Sequence, residues 1–486
     1  MVIYLDNVYK NIIGRVGLTG LTNIFILLSG FILLPVLTRN LTIEEYGIWV
    51  QLGVTTALLS NISVLGLHGS IVRFLGTYSH KKELQEGFYS ILFIVLFTGI
   101  IISIIFYYFS SQLSTILFDN NIFIARMVPL IVIMIALNAI NINFFRAFNQ
   151  IKLYNIFSFS NILLQFVSVY YFVAFGYGIF GATIGLLISQ ILFFFIMFIP
   201  ILLRIQFKIP KYKKLKEYLS FSLPLVPTDL YSWLVKLSDR YIIGIILGIA
   251  YVGYYSPSYN LSNIILMFSA PINLILFPTL SKHFDNGNFK IVENILKYSL
   301  KYFLACSIPS AVLLSLFSKQ ILLLLTTPDI AMNGYIITPF VTISAVFFGA
   351  YGIIVQIIYF KKKTNLLILI WFFAGFLNVI LNFILIPHIG ILGAGISTLI
   401  AYSTAFGITI YYSFKYFKFN IDLFFIIKSI VSTILMTLVI FLIDPCGYSD
   451  IIIVTLVSII VYIISLYLMK GFNTEEFQFL KRIWKL

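Results

Sequence analysis

The sequence predicts an all-α membrane protein of about fourteen transmembrane helices, built as two related six-helix halves followed by two further helices. Three observations lead there. Apolar runs long enough to cross a bilayer recur along the whole chain, basic residues collect on alternate connections between those runs, and hairpin landmarks repeat at a nearly constant offset.

The first observation is one of solvent. Of 486 residues, 60% are hydrophobic and 10% charged, with a mean hydropathy of +1.03. A chain this apolar cannot cover a water-facing surface, so lipid is its solvent. Helices are then the expected element, because a lipid-exposed backbone must satisfy its own hydrogen bonds. Apolar runs bounded by charge or turn residues place spans near 18–38, 46–68, 88–109, 127–146, 154–175 and 179–203. A second series falls near 221–248, 252–280, 299–318, 336–360, 365–386 and 391–414, and two more near 423–443 and 451–469. Lys10 and Arg15 precede the first run, which carries no small-residue cleavage site, so a retained span is expected rather than a leader. The two cysteines, Cys306 and Cys446, suggest neither a disulfide framework nor a metal cluster.

The second observation orients the chain. Arg39, Arg126 and Lys319 lie on one set of connections, with Glu44, Glu45, Asp119, Asp329, Asp444 and Asp450. Setting these three and the intraspan Lys236 and Arg240 aside from 32 basic residues leaves 27, all on the other set. By the positive-inside rule that set is cytoplasmic, as are both termini, and the protein belongs in the plasma membrane. The net charge of +15 is thus a topology signal with an affinity for anionic membrane lipids, and a nucleic-acid partner is not expected.

The third observation divides the chain. Leu41 through Tyr46 and Gly47, between spans one and two, is matched by Leu247 through Val252 and Gly253, between spans seven and eight, at an offset of 206. Gly178, Gly181 and Ala182 are matched by Gly390, Gly393 and Ala394 at an offset of 212. The expected organisation is a first lobe over 1–203, a cytoplasmic basic linker over 204–218, a second lobe over 219–414, and two helices with a cytoplasmic tail over 415–486. Six spans per half give both halves one orientation, related by a pseudo-two-fold axis along the membrane normal.

Several motifs then resemble a known family. Leu37-Thr38-Arg39-Asn40-Leu41 through Glu45-Tyr46-Gly47, followed by Leu65-Gly66-Leu67 and Val72-Arg73-Phe74, is similar to the opening of polysaccharide-export flippases. Ser238 through Gly244, Val252 through Tyr255 and Pro278 through Ser281 resemble that family's seventh and eighth helices. The superfamily, the MOP exporters, also holds multidrug and toxin extruders and the cell-wall lipid precursor flippase. The resemblance implies a V-shaped bundle that alternates between inward and outward openings, and a substrate oligosaccharide carried on a polyprenyl phosphate or pyrophosphate. No cofactor is implied.

Ionisable groups inside spans are costly and mark pathways or pairs. Span seven holds Asp229, Lys236, Asp239 and Arg240. At 100° per residue Asp229, Lys236 and Arg240 share a face, with Asp239 about 80° aside, placed to pair with Lys236 or a neighbouring helix. Lys236 and Arg240 are candidates to hold the anionic part of the substrate, the guanidinium by its forked geometry. Asp229 and Asp239 are candidates for coupling to H+ or Na+. Arg39 is placed for an outer vestibule, and Arg73 and Arg146 for an inner mouth. Asn138 and Asn141, with Gln165, Asn273, Gln356, Asn378 and Asn382, could bond sugar hydroxyls or other helices.

Three other functions compete. A membrane glycosyltransferase or polymerase needs a sizeable outer loop for its acids and bases, and every outer connection is short. A cation exporter of the same fold needs an unbalanced acidic cavity, whereas span seven carries two charges of each sign. The cell-wall lipid precursor flippase is the third, and shares the chemistry.

Overall fold

The structure, a computed structural model, describes residues 30–472 apart from 79, 364 and 446, with backbone alone at 274, 275, 277 and 278. Lys10, Arg15, Cys446, the first part of span one and the tail cations Lys481, Arg482 and Lys485 lie outside the described residues. Within them the chain is helical and contains no strand.

The first half runs α1 (30–40), α2 (Ile43–Val64), α3 (Leu67–Phe74), α4 (Lys81–Tyr108), α5 (Ser110–Leu117), α6 (Ile122–Ala147), α7 (Ile151–Ala174) and α8 (Gly178–Ile205). The second runs α9 (Leu215–Ser222), α10 (Val226–Ile246), α11 (Ile249–Ser262), α12 (Leu266–Asp285), α13 (Phe289–Leu316), α14 (Ser318–Leu325), α15 (Pro328–Gly334), α16 (Thr338–Ile354), α17 (Gln356–Phe360), α18 (Asn365–Ile389) and α19 (Ile391–Tyr416). Helices α20 (Leu423–Ile443) and α21 (Tyr448–Leu468) follow. Eleven described helices are long and apolar enough to span a bilayer; α10, with its four charges, and the broken α11–α12 segment are not among them.

Several expected spans are segmented. Span two breaks between α2 and α3, where Leu65 and Gly66 both take left-handed backbone at φ 51° and 68°. Short 3-10 turns interrupt spans seven, eight and ten at Leu223–Leu225, Asn263–Ile265 and Tyr335–Ile337. The unpredicted short helices α5 and α14 stand at equivalent places after spans three and nine.

The repeat is visible in side-chain contacts. At the end bearing the basic connections, Glu86 in the first turns of α4 accepts the backbone N–H groups of Lys211, at 2.8 Å to each oxygen, and Lys213 at 3.2 Å. Glu293 in the first turns of α13 accepts the N–H of Asn420 at 3.3 Å. Each carboxylate thus clamps the chain that leaves its own half. The linker continues into α9, which crosses onto α3 through Ser70 Oγ, bonded to the Tyr218 carbonyl at 2.9 Å and to Ser222 Oγ at 2.6 Å. Tyr78 and Tyr218 share a hydroxyl bond of 2.7 Å, and burial together with this bond pushes the Tyr218 hydroxyl above its ordinary range.

At the opposite, acidic end the halves close on each other. A Cβ on Gly47 would lie 2.2 Å from the Ile249 carbonyl oxygen, and one on Gly253 would lie 2.6 Å from Ile43 Cδ1 and 2.9 Å from the Ile43 carbonyl oxygen. Glycine is required at both because the backbones themselves touch. The two contacts are copies: the offset of 206 carries Ile43 to Ile249 and Gly47 to Gly253. Around them one apolar cluster combines Tyr46, Ile48 and Leu52 with Ile249, Tyr254 and Ile330. Helices α20 and α21 pack on α13, where Tyr462 donates to the Ala305 carbonyl at 2.8 Å.

Candidate substrate cavity

The polar centre begins with α10. Pro227 and Asp229 occupy its first turn, positions that suit a missing N–H and the positive end of a helix dipole. Farther along, Asp239 is 0% exposed and Arg240 3%. A buried charge without a partner costs several kcal/mol, so these must be compensated. Arg240 Nη1 bonds Asp239 Oδ1 at 2.8 Å and the Lys236 carbonyl at 2.8 Å. The other carboxylate oxygen accepts from the Tyr255 hydroxyl. The guanidinium lies 4.1 Å from the Tyr259 ring centre and 5.4 Å from that of Tyr255, and Tyr259 bonds Tyr402 of α19. Asp239 therefore pairs with its chain neighbour and with α11, not with Lys236. The expectation of a neighbouring-helix partner is met by Tyr255.

Lys236 sits one turn nearer the basic end, half-buried, with Nζ 5.2 Å from the centre of the Phe348 ring. It interacts electrostatically with Asp229, as Asp229 does with His68 of α3 and His68 with Arg146 on α6. Charges of both halves thus act on one another there. Arg39 lies at the acidic end, exposed, and its Nη2 donates to the Leu324 carbonyl at 2.8 Å, bridging the halves rather than lining the cavity. Arg73 is exposed on α3.

A cavity of about 620 Å³ opens between α1, α2, α6, α7 and α8 on one side and α10 and α11 on the other. Its polar lining includes Thr56, Gln165, Gln190, Arg240, Ser256 and Asn260, with Tyr46, Trp49, Phe159 and Phe166 supplying aromatic surface. Among the described residues no carboxylate or lysine lines it. Asn138 and Asn141 are buried and do not reach it. Asn138 Nδ2 instead donates at 3.0 Å to both the Gln190 carbonyl and Gln190 Oε1, the helix-to-helix use of an amide. Asn378, Asn382 and Ser397 likewise bond one another between α18 and α19. Gln190, Trp49 and Asn260 were not singled out from sequence; a lone Gln in the middle of an apolar span was the available signal for the first. A second, apolar cavity of about 700 Å³ lies between α13, α16, α19 and α20.

This geometry, two repeated helical halves around a cavity that both line, is that of a multi-pass membrane bundle. The MOP-type bundle appears in solved structures: a lipid II flippase MurJ in an inward closed conformation has a TM-score of 0.79 at 18% identity, covering 93% of this chain and 98% of that one. An inward-facing multidrug resistance MATE transporter of the MOP superfamily has 0.65 at 14%, covering 81% and 93%. The chain belongs to the polysaccharide biosynthesis protein family, which it matches over residues 12–284, with a MatE match over 224–384. Among curated proteins it is 22% identical over 196 residues to the probable low-salt glycan biosynthesis flippase Agl15 of Haloferax volcanii, covering 40% of this chain and 41% of that one. It is 28% identical over 173 residues to the probable flippase AglR of the same organism, covering 35% of each. The chain thus spans less than half the length of the curated relatives it matches.

Proposed function

We propose that the protein is a flippase that turns a polyprenyl-(pyro)phosphate-linked oligosaccharide from the cytoplasmic to the outer leaflet by alternating access. The observation that carries this reading is the cavity itself: both halves line it, and at the acidic end they meet backbone to backbone at Gly47 and Gly253. With the basic connections in the cytoplasm, the present state is sealed toward the outside. The termini are then cytoplasmic.

The anionic linkage is held by Lys236 and Arg146 with His68, which stand toward the basic connections, outside the lining of the cavity. Arg240 contributes its stack and shape, its charge being spent on Asp239. Coupling by an ion, if the protein uses one, runs through Asp229, which faces groups of the other half; Asp239 is already held by Arg240 and Tyr255. A cation exporter is disfavoured because no carboxylate lines the cavity among the described residues.

The test is reconstitution. Proteoliposomes holding the purified full chain and a fluorescent polyprenyl-pyrophosphoryl disaccharide should show protein-dependent exposure of the inner-leaflet pool to an impermeant quencher. Lys236→Ala should slow that exposure roughly tenfold or more. Quenching equal to that of protein-free vesicles would defeat the reading.

A further inference from the structure

Resting on the flippase reading, we infer that the cavity between the halves, hollowed mainly into the first half, is a glycan-reading subsite for uncharged sugars, neutral hexoses or N-acetylated hexosamines, and rejects uronic acids. Trp49 is its stacking platform, and Gln165 and Asn260 are its hydrogen-bonding arms.

The electrostatics give the class. Among the described residues every lining group is neutral except Arg240, and that guanidinium is bonded to a fully buried carboxylate at 2.8 Å and covered by the Tyr259 ring. A uronate carried into this space gives up part of its water and finds no uncompensated cation among the described lining residues, a loss that a carboxylate tolerates poorly. A hydroxyl or acetamido group loses far less, provided it finds hydrogen bonds.

Those bonds are on offer. Gln165 from α7 and Asn260 from α11 both line the cavity, and neither amide has a hydrogen-bond partner among the described residues. They come from different halves of the chain and line one cavity. Gln190 on the same lining is already engaged, its Oε1 accepting from Asn138 at 3.0 Å and its Nε2 donating to Asn161 at 3.3 Å. Trp49 is half-buried on the lining, and its indole makes no ring contact among the described residues, whereas Phe166 is stacked on Tyr170 at 5.8 Å. Amphipathic aromatic faces of this kind suit the C–H faces of a pyranose. The volume, about 620 Å³, fits a short oligosaccharide rather than a long polymer.

The repeat explains why the subsite is one-sided. At the established offsets Gly53 and Gln190, which border the hollow, correspond to Tyr259 and Tyr402, which fill the same place in the other half.

The experiment compares two probes in proteoliposomes of the full chain: polyprenyl-pyrophosphoryl-N-acetylglucosamine carrying terminal glucose, and the same lipid carrying terminal glucuronate. The glucose lipid should move roughly tenfold faster or more. Gln165→Leu and Asn260→Leu should each slow it roughly tenfold while leaving monodisperse protein in detergent. Trp49→Phe should be milder than Trp49→Ala. Gln165→Lys, which places a free cation in the subsite, should raise movement of the glucuronate lipid, a gain that mere damage cannot produce. Equal movement of both lipids by the unaltered protein, or no gain in Gln165→Lys, overturns this inference and leaves the flippase reading standing. Movement of neither lipid overturns both.

Discussion

The two halves of the chain share a fold and differ in what they put at its centre. At the offset of 206, Leu33 and Leu34 of the first half stand where Asp239 and Arg240 stand in the second, Trp49 where Tyr255 stands, and Gly53 where Tyr259 stands. The second half therefore carries a self-contained plug: an ion pair, two tyrosines around it, and Tyr402 behind. In the first half the same positions hold Leu33, Leu34, Trp49, Gly53 and Gln190, none of them charged, and the cavity lies there. Duplication supplies the frame, and asymmetric substitution inside it leaves an open space against a filled wall.

The largest test of that contrast is to break the plug. Arg240→Ala leaves Asp239 buried and unpaired, and should cost about 3–5 kcal/mol of stability, read as a lowered thermal midpoint in detergent. Replacing both residues by leucine, the first half's own sequence, should restore most of it, short of the roughly 1–3 kcal/mol for the orphaned Tyr255 hydroxyl. A double variant no more stable than Arg240→Ala would show that the plug is not a compensated pair.

Next is the seal. Gly47→Val drives a side chain into the Ile249 carbonyl, with no flexible atom to yield. Glycolipid movement should fall roughly a hundredfold, and a cysteine at Asn260 should become reactive from the acidic side. Gly253→Val meets first the tip of the Ile43 side chain, so its loss should be smaller; equal losses would argue against this ranking. The smallest effect separates the two clamps. Glu86→Ala removes three bonds to the linker and should lower stability by about 1–2 kcal/mol, while Glu293→Ala, with one bond at 3.3 Å, should lower it by about 0.5 kcal/mol.

Much of the frame was legible in the sequence. Lipid leaves so few options for backbone that apolar length alone placed the helices, and the offset of 206 describes contacts as well as motifs. The interior was less so. A helical wheel puts Lys236 and Arg240 on one face correctly, yet cannot show that Arg240 folds back onto its own neighbour, because Tyr255 and Tyr259 on α11 hold that geometry. Asn138 was a reasonable sugar contact by residue type, but its partner Gln190 sits 52 positions away, and only packing reveals which of the two amides meets the cavity. The contrast of Gly53 with Tyr259 was within reach of the sequence alone, since the repeat offset sets the two positions opposite each other.

The meeting of Gly47 with Ile249 and Gly253 with Ile43 has the form of an isologous interface, the kind two identical subunits make about a two-fold axis. A half-chain of six helices dimerising in parallel would bring one surface against its own copy, with each contact appearing twice. Because the two contacts are related by the axis of the fold, a rigid rotation of the halves parts or joins them together, so the seal behaves as a single cooperative unit rather than as two latches released in turn.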